Sequence, residues 1–189
     1  SLNFRTSTVN NLNFLNEMNY LENLHIGGVF NDDFTPLSNQ KGLKKLSINS
    51  NINDLSFLNN MKDLEQFILS SGGYLDKIQI ERITNLKKLK GLELRYCKLE
   101  TFSPVNNCEE LEHLGFWKVK VNGTVDFSKL TDVKILNIVE TDIDVEQILL
   151  MGNLEKVFIA EDQFSETDIK KLENKGIEVK VHWLFRKGF

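Results

Sequence analysis

Only two prolines, two cysteines and three histidines occur in 189 residues, and no apolar run approaches the length of a membrane-spanning helix. Each shortage removes a class of protein. Two cysteines do not make a disulfide framework, and a membrane helix needs about 18 or more consecutive apolar residues. The net charge is small, −4, with lysines interspersed among acids. The chain therefore carries neither the basic stripe of a nucleic-acid binder nor an acidic tail. The spacings of phosphate-binding loops are missing as well, and Gly72-Gly73 reads as the start of an enlarged turn. No secretory signal opens the given sequence. The low cysteine content favours the cytoplasm, and a secreted or surface location follows if upstream residues are missing.

What the chain does contain is leucine at a fixed period. The clearest stretch is Leu86–Val105, LKKLKGLELRYCKLETFSPV, where Leu89, Leu92, Leu94 and Cys97 follow L-x-x-L-x-L-x-x-C. In this phrase L-x-L is a short strand and the next polar residue begins a turn. With the second apolar residue of each L-x-L as origin, the phrase recurs at Phe4, Ile26, Ile48, Leu69, Leu94, Phe116, Ile138, Ile159 and Val181, spaced by 22, 22, 21, 25, 22, 22, 21 and 22 residues. The position two before the origin is apolar in every copy. The position five before it fails once, at Gly176. One rule thus predicts nine strands and about eight coils in a single domain over residues 1–189.

The rest of the composition falls into the same phase. All three methionines, Met18, Met61 and Met151, stand eight before an origin, where they read as flexible core filler. Both prolines stand ten after one, in Asp33-Phe34-Thr35-Pro36-Leu37 and Thr101-Phe102-Ser103-Pro104-Val105. Proline lacks an N–H, so these phrases belong on the outer returns of the coils. The long fourth repeat places Leu75, Ile78, Ile80 and Ile83 in a longer return helix. Ser165 followed by Ile169, Leu172 and Gly176 predicts a capped helix with a glycine stop. The aromatic tail, residues 182–189, reads as a C-terminal cap. The first strand begins by residue 2, which predicts missing upstream residues or shielding of the first coil by another subunit.

A unit of about 22 residues with a hydrophobic-Ser/Thr-Pro-hydrophobic return resembles the leucine-rich repeats of the bacterial internalin type, over nearly the whole chain. The resemblance implies an α/β right-handed solenoid, with a parallel sheet on its concave face and short helical or extended returns on its convex face. It also implies protein binding without an active site. The sequence departs from that pattern at the turn, where asparagine occurs at Asn51 and cysteine at Cys97, but Ser7, Val29, Gly72, Val119, Thr141 and Asp162 elsewhere. The asparagine ladder that satisfies buried backbone at the turns is therefore incomplete.

Strand alternation turns the residues beside each L-x-L pair to the concave surface. Early coils place small polar residues there. Later coils place Trp117, Ile135, Val139 and Phe158, with Arg95, Tyr96, Glu93 and His113 around them. An apolar patch rimmed by charge marks a binding surface. These eight residues are the expected partner-binding set, centred on Arg95, Trp117, Ile135, Val139 and Phe158, and Trp117 is the residue that tests it. Its replacement by Ala is expected to weaken binding by about 2 kcal/mol with folding intact. The competing reading is that a loop or the aromatic tail covers them.

No catalytic, cofactor or metal site is expected. His25, His113 and His182 lie on coils too far apart to share an ion at strand spacings of about 4.8 Å. Cys97 is expected to point inward as a structural thiol. Glu109-Glu110, Asp142/Asp144 and Lys87-Lys88-Lys90 read as solvated returns, and Asn122-Gly123-Thr124 is a glycosylation acceptor only in a secreted eukaryotic protein. The expected function is protein–protein interaction through the concave face. The alternatives are an inhibitor or immunity-type protein that blocks an enzyme, and an adhesion or effector segment of a larger surface or secreted bacterial protein.

Overall fold

The computed structural model describes residues 1–4, 11–18, 20–27, 33–52, 54–70, 73–123 and 125–182. In chain order the strands are β1 (Leu2–Phe4), β2 (Asn23–Gly27), β3 (Lys45–Asn49), β4 (Gln66–Ser70), β5 (Tyr74–Leu75), β6 (Gly91–Arg95), β7 (Lys98–Leu99), β8 (His113–Trp117), β9 (Lys120–Val121), β10 (Ile135–Asn137), β11 (Lys156–Ile159) and β12 (Glu178–Val181). Nine of them form one parallel sheet, β1-β2-β3-β4-β6-β8-β10-β11-β12. Its register pairs Leu24 with Leu46, Phe67 with Leu92, and Leu114 with Leu136, which is the register of the sequence phase. The fold is therefore a parallel solenoid with the sheet on its concave face.

Alternation in the strands and tight returns opposite them enclose a single core. Leu46 and Ile48, Phe67 and Leu69, Leu92 and Leu94, and Leu114 and Phe116 all turn inward and are buried. Burying one such side chain contributes about 2 kcal/mol. On the convex side four returns are 3₁₀ turns, Asn13–Glu17, Thr35–Asn39, Ser56–Asn60 and Ser103–Asn107, with Pro36 and Pro104 buried at the starts of two of them. A short polar side chain opens most returns: Asp33 accepts from Thr35 N, Asp54 from Ser56 N, and Asp126 from Ser128 N, each at 2.9 Å.

Three returns are α-helical: α1 (Lys77–Thr84), α2 (Val145–Leu149) and α3 (Glu166–Asn174), capped by Asp76, Asp144 and Ser165. The long fourth repeat gives α1 as expected, except that Leu75 lies in β5 because the Asp76 cap starts the helix after it. Ile80 and Ile83 are buried, whereas Ile78 faces solvent. Gly176, the one failure of the periodic rule, has φ +87° and ends α3, with its N–H donating to Glu173 O and the Ile177 N–H to Leu172 O. The helix stop thus displaces the usual leucine, and the next residue, Ile177, fills the core instead.

Other devices replace the asparagine ladder. The carbonyls of Gly73 and Cys97 accept from Lys98 N and Lys120 N in a second small parallel sheet, β5-β7-β9. Thr141, buried, donates to Phe116 O at 3.1 Å. Gln163 donates to Ile138 O at 2.7 Å and Thr141 O at 2.9 Å, and accepts from Ala160 N at 2.8 Å. One side chain therefore closes the backbone of two coils. Turn positions Ser7, Val29 and Gly72, and the cap residues beyond His182, lie outside the described residues.

A further pattern runs along one margin of the sheet. Glu22, Lys44, Glu65, Lys90, Glu112, Lys134 and Glu155 alternate in charge, and each carbonyl from Glu22 to Lys134 accepts from the backbone N–H of the next member of the row. Lys44 reaches Glu22 at 3.1 Å and Lys134 reaches Glu112 at 3.4 Å. These pairs are exposed and individually worth little. Their alternation keeps like charges from meeting on adjacent strands.

Candidate binding face

Gly91 and Gly115, on adjacent strands β6 and β8, leave a depression of about 260 Å³ in the concave face. Leu92 and Leu114 lie beneath it, and Ile68, His113, Ile135 and Phe158 stand around it. Gly115 is required by close approach: a Cβ built there would lie 2.8 Å from Glu93 Cγ. The Glu93 stem rests across this glycine, and its Oε1 accepts from Arg95 Nε at 2.9 Å. The Arg95 guanidinium stands 5.4 Å from the centre of the Trp117 ring. Glu93, Arg95 and Trp117 thus form a connected row beside the depression.

Two residues of the expected centre lie below the surface. Trp117 is only 9% exposed and Val139 only 1%. The Trp117 ring meets the His182 ring edge-on, with centroids 5.1 Å apart, and His182 also meets Phe158 at 6.3 Å. Trp117, Val139, Ala160 and His182 occupy one column of the sheet, so this contact roofs the two residues between. Aromatic area is removed from water by closure along the column, and Trp117 is buried among side chains that are themselves partly exposed. His182 is the first residue of the segment expected to act as a cap.

Glu93, His113, Ile135 and Phe158 do come together around the depression, and Arg95 adjoins it. Tyr96 stands apart at the sheet margin, 49% exposed, with φ +54° and the Lys118 ammonium 5.9 Å above its ring. Lys118 in turn pairs with Glu140 at 3.1 Å. Sequence reasoning missed the two glycines that make the depression, although both stand in concave columns where neighbouring coils carry large side chains.

Cys97 and Cys108 are buried, and burial pushes their thiols up to about 12 and about 11. A protonated buried thiol is a poor nucleophile and a poor metal ligand. His25, His113 and His182 lie on separate coils, and among the described residues no group of three or more histidine, cysteine or acidic side chains is arranged to hold a metal ion. No helix of the described residues is long and apolar enough to cross a membrane.

Neither a protein-family model nor a curated protein sequence matches the chain. Solved structures do. Internalin InlF of Listeria monocytogenes superposes on 97% of this chain with a TM-score of 0.75 and 16% sequence identity. Internalin C2 of the same organism superposes on 94% with a TM-score of 0.74 and 19% identity. The fold is the internalin leucine-rich-repeat solenoid. A leucine-rich-repeat protein of Leptospira interrogans matches 85% of the chain more loosely, with a TM-score of 0.51 at 19% identity. This internalin-like solenoid spans about half of the InlF structure, 54%, and 78% of that of internalin C2.

Proposed function

We propose that this chain is a protein-binding module that engages its partner through the concave face, at the depression bounded by Ile68, Glu93, His113, Ile135 and Phe158. The observation that supports this reading most is the depression itself. A solenoid needs no gap in its side-chain columns, yet two glycines open one between apolar walls. Anchoring side chains of protein partners enter such pockets, and a few contacts of this kind supply most of the affinity. Arg95 adjoins it, a residue type enriched in interface hot spots. The fold shared with internalins InlF and C2 is consistent with this reading. No catalytic step enters it, because both thiols are buried and protonated and the histidines are dispersed.

Site-specific photo-cross-linking in cells of the source organism tests the proposal. A benzoylphenylalanine placed at Ser47 or Asn137, on the concave columns, is expected to trap one protein. The same residue placed at Lys77 or Lys170, on the convex helices, is expected to trap none. Adducts formed only from the convex positions would contradict it.

A further inference from the structure

Arg95 is held on two sides and open on the third. Its Nε donates to Glu93, its plane is steadied by Trp117, and among the described residues its two terminal amino groups have no partner, with the side chain 36% exposed. Those two groups are the half of a guanidinium that grips a carboxylate fork to fork. Because Glu93 rests on Gly115 and Trp117 is buried, the arginine has given up much of its rotamer freedom before any ligand arrives. Such preorganisation lowers the entropy lost on binding.

Charge on this face points the same way. Among the described residues the concave columns carry Lys45, Arg95, Lys156 and Lys180 against Glu93 and Glu178, a net of +2 on a chain whose net charge is −4. Arg95 is paired with Glu93, and Lys156 and Lys180 share Glu178, so the sheet face keeps a small positive excess on an otherwise acidic molecule, which complementarity matches to an acidic partner. Arg95 and Glu93 stand two residues apart on β6, and Glu93 bounds the depression. Side chains two positions apart on an extended segment project to the same side, separated by about 6.6 Å.

We infer that the concave face takes an extended acidic segment of a partner protein, in which a carboxylate is gripped by the terminal amino groups of Arg95 and a large apolar side chain two positions away fills the depression over Gly91 and Gly115. This rests on the concave-face reading above and adds the chemistry of the occupant.

The test is selection of a displayed library of random twelve-residue peptides on the purified chain, followed by titration of the synthetic enriched peptide. Enrichment of Asp or Glu two positions from a large apolar residue is expected. Arg95→Lys, which keeps the charge and loses the fork, should weaken that peptide by about tenfold or more. Gly115→Ala, which unseats Glu93 and leaves Arg95 in sequence, is the second variant and should weaken it similarly. Enriched peptides that lack acids, and that bind Arg95→Lys like wild type but fail on Ile135→Arg, would overturn the acidic segment while leaving the concave face in place. Peptides indifferent to Ile135→Arg, or no enrichment over an uncoated surface, would overturn both.

Discussion

The rings of Trp117 and His182 meet edge to face at 5.1 Å although two strands lie between them in the sheet. The contact closes the C-terminal half of one concave column, and among the described residues the buried Trp117 Nε1 and His182 Nδ1 have no hydrogen-bond partner. Replacing Trp117 by Ala should therefore cost stability, about 3 kcal/mol by the measure of large-to-small aromatic changes, read as a lowered urea midpoint. A variant as stable as wild type would show that the indole is not part of the core.

Gln163 fills all the roles left by the missing asparagine at its turn, donating to two carbonyls and accepting from Ala160 N. Gln163→Ala leaves Ala160 N without its acceptor, while Ile138 O and Thr141 O keep the backbone N–H groups of Thr141 and Ile143. A loss of about 1 to 3 kcal/mol in urea unfolding is expected. Gln163→Glu, which keeps the acceptor but loses both donors, should fall well short of wild type.

Gly176 has φ +87° and nothing within 4 Å of the position a Cβ would take. Its substitution by Ala therefore reports backbone strain alone, expected at about 1 kcal/mol. Gly152 also has open space around it but no positive φ. Gly152→Ala measured in parallel should be nearly neutral.

The two buried thiols give a pH dependence with a definite sign. Burial raises Cys97 to about 12 and Cys108 to about 11 from an ordinary value of 9.0. Below pH 9 both states hold the protons and the thiols do not affect stability. Above it the unfolded chain ionises first, so stability falls as pH rises from about 9 through the folded values. The thiols should also react with a disulfide reagent at pH 8 only as the chain unfolds. Rapid labelling of the native protein would contradict their burial.

The repeat architecture was legible because the hydrophobic effect imposes one rule nine times. Leu24, Leu46, Leu92 and Leu114 had to point inward for any coil to close, and their register in the sheet is the one the spacing dictates. The α3 cap at Ser165 was legible for a local reason, the pairing of a short hydroxyl with a free N–H. The binding face was harder. Alternation assigns a side chain to the concave surface but does not say whether a distant residue, here His182, lies down upon it. Nor does it reveal that a missing Cβ at Gly115 matters until Glu93 is seen across it. The alternating charge row from Glu22 to Glu155 stands in the sequence at one fixed phase, four before each origin, but exposed charges carry no burial signal and the apolar positions alone define the period.

The claim that the concave depression is the binding site is tested most directly by placing the same charge on the two faces. Ile135 stands at the depression and Ile78 is 59% exposed on convex helix α1. For the partner trapped from the concave positions, Ile135→Arg should weaken affinity by about a hundredfold, measured by calorimetry on the folded variant. Ile78→Arg should change it less than about twofold, as a substitution outside the interface does. Equal affinities for wild type and Ile135→Arg, or a loss confined to Ile78→Arg, would contradict the account.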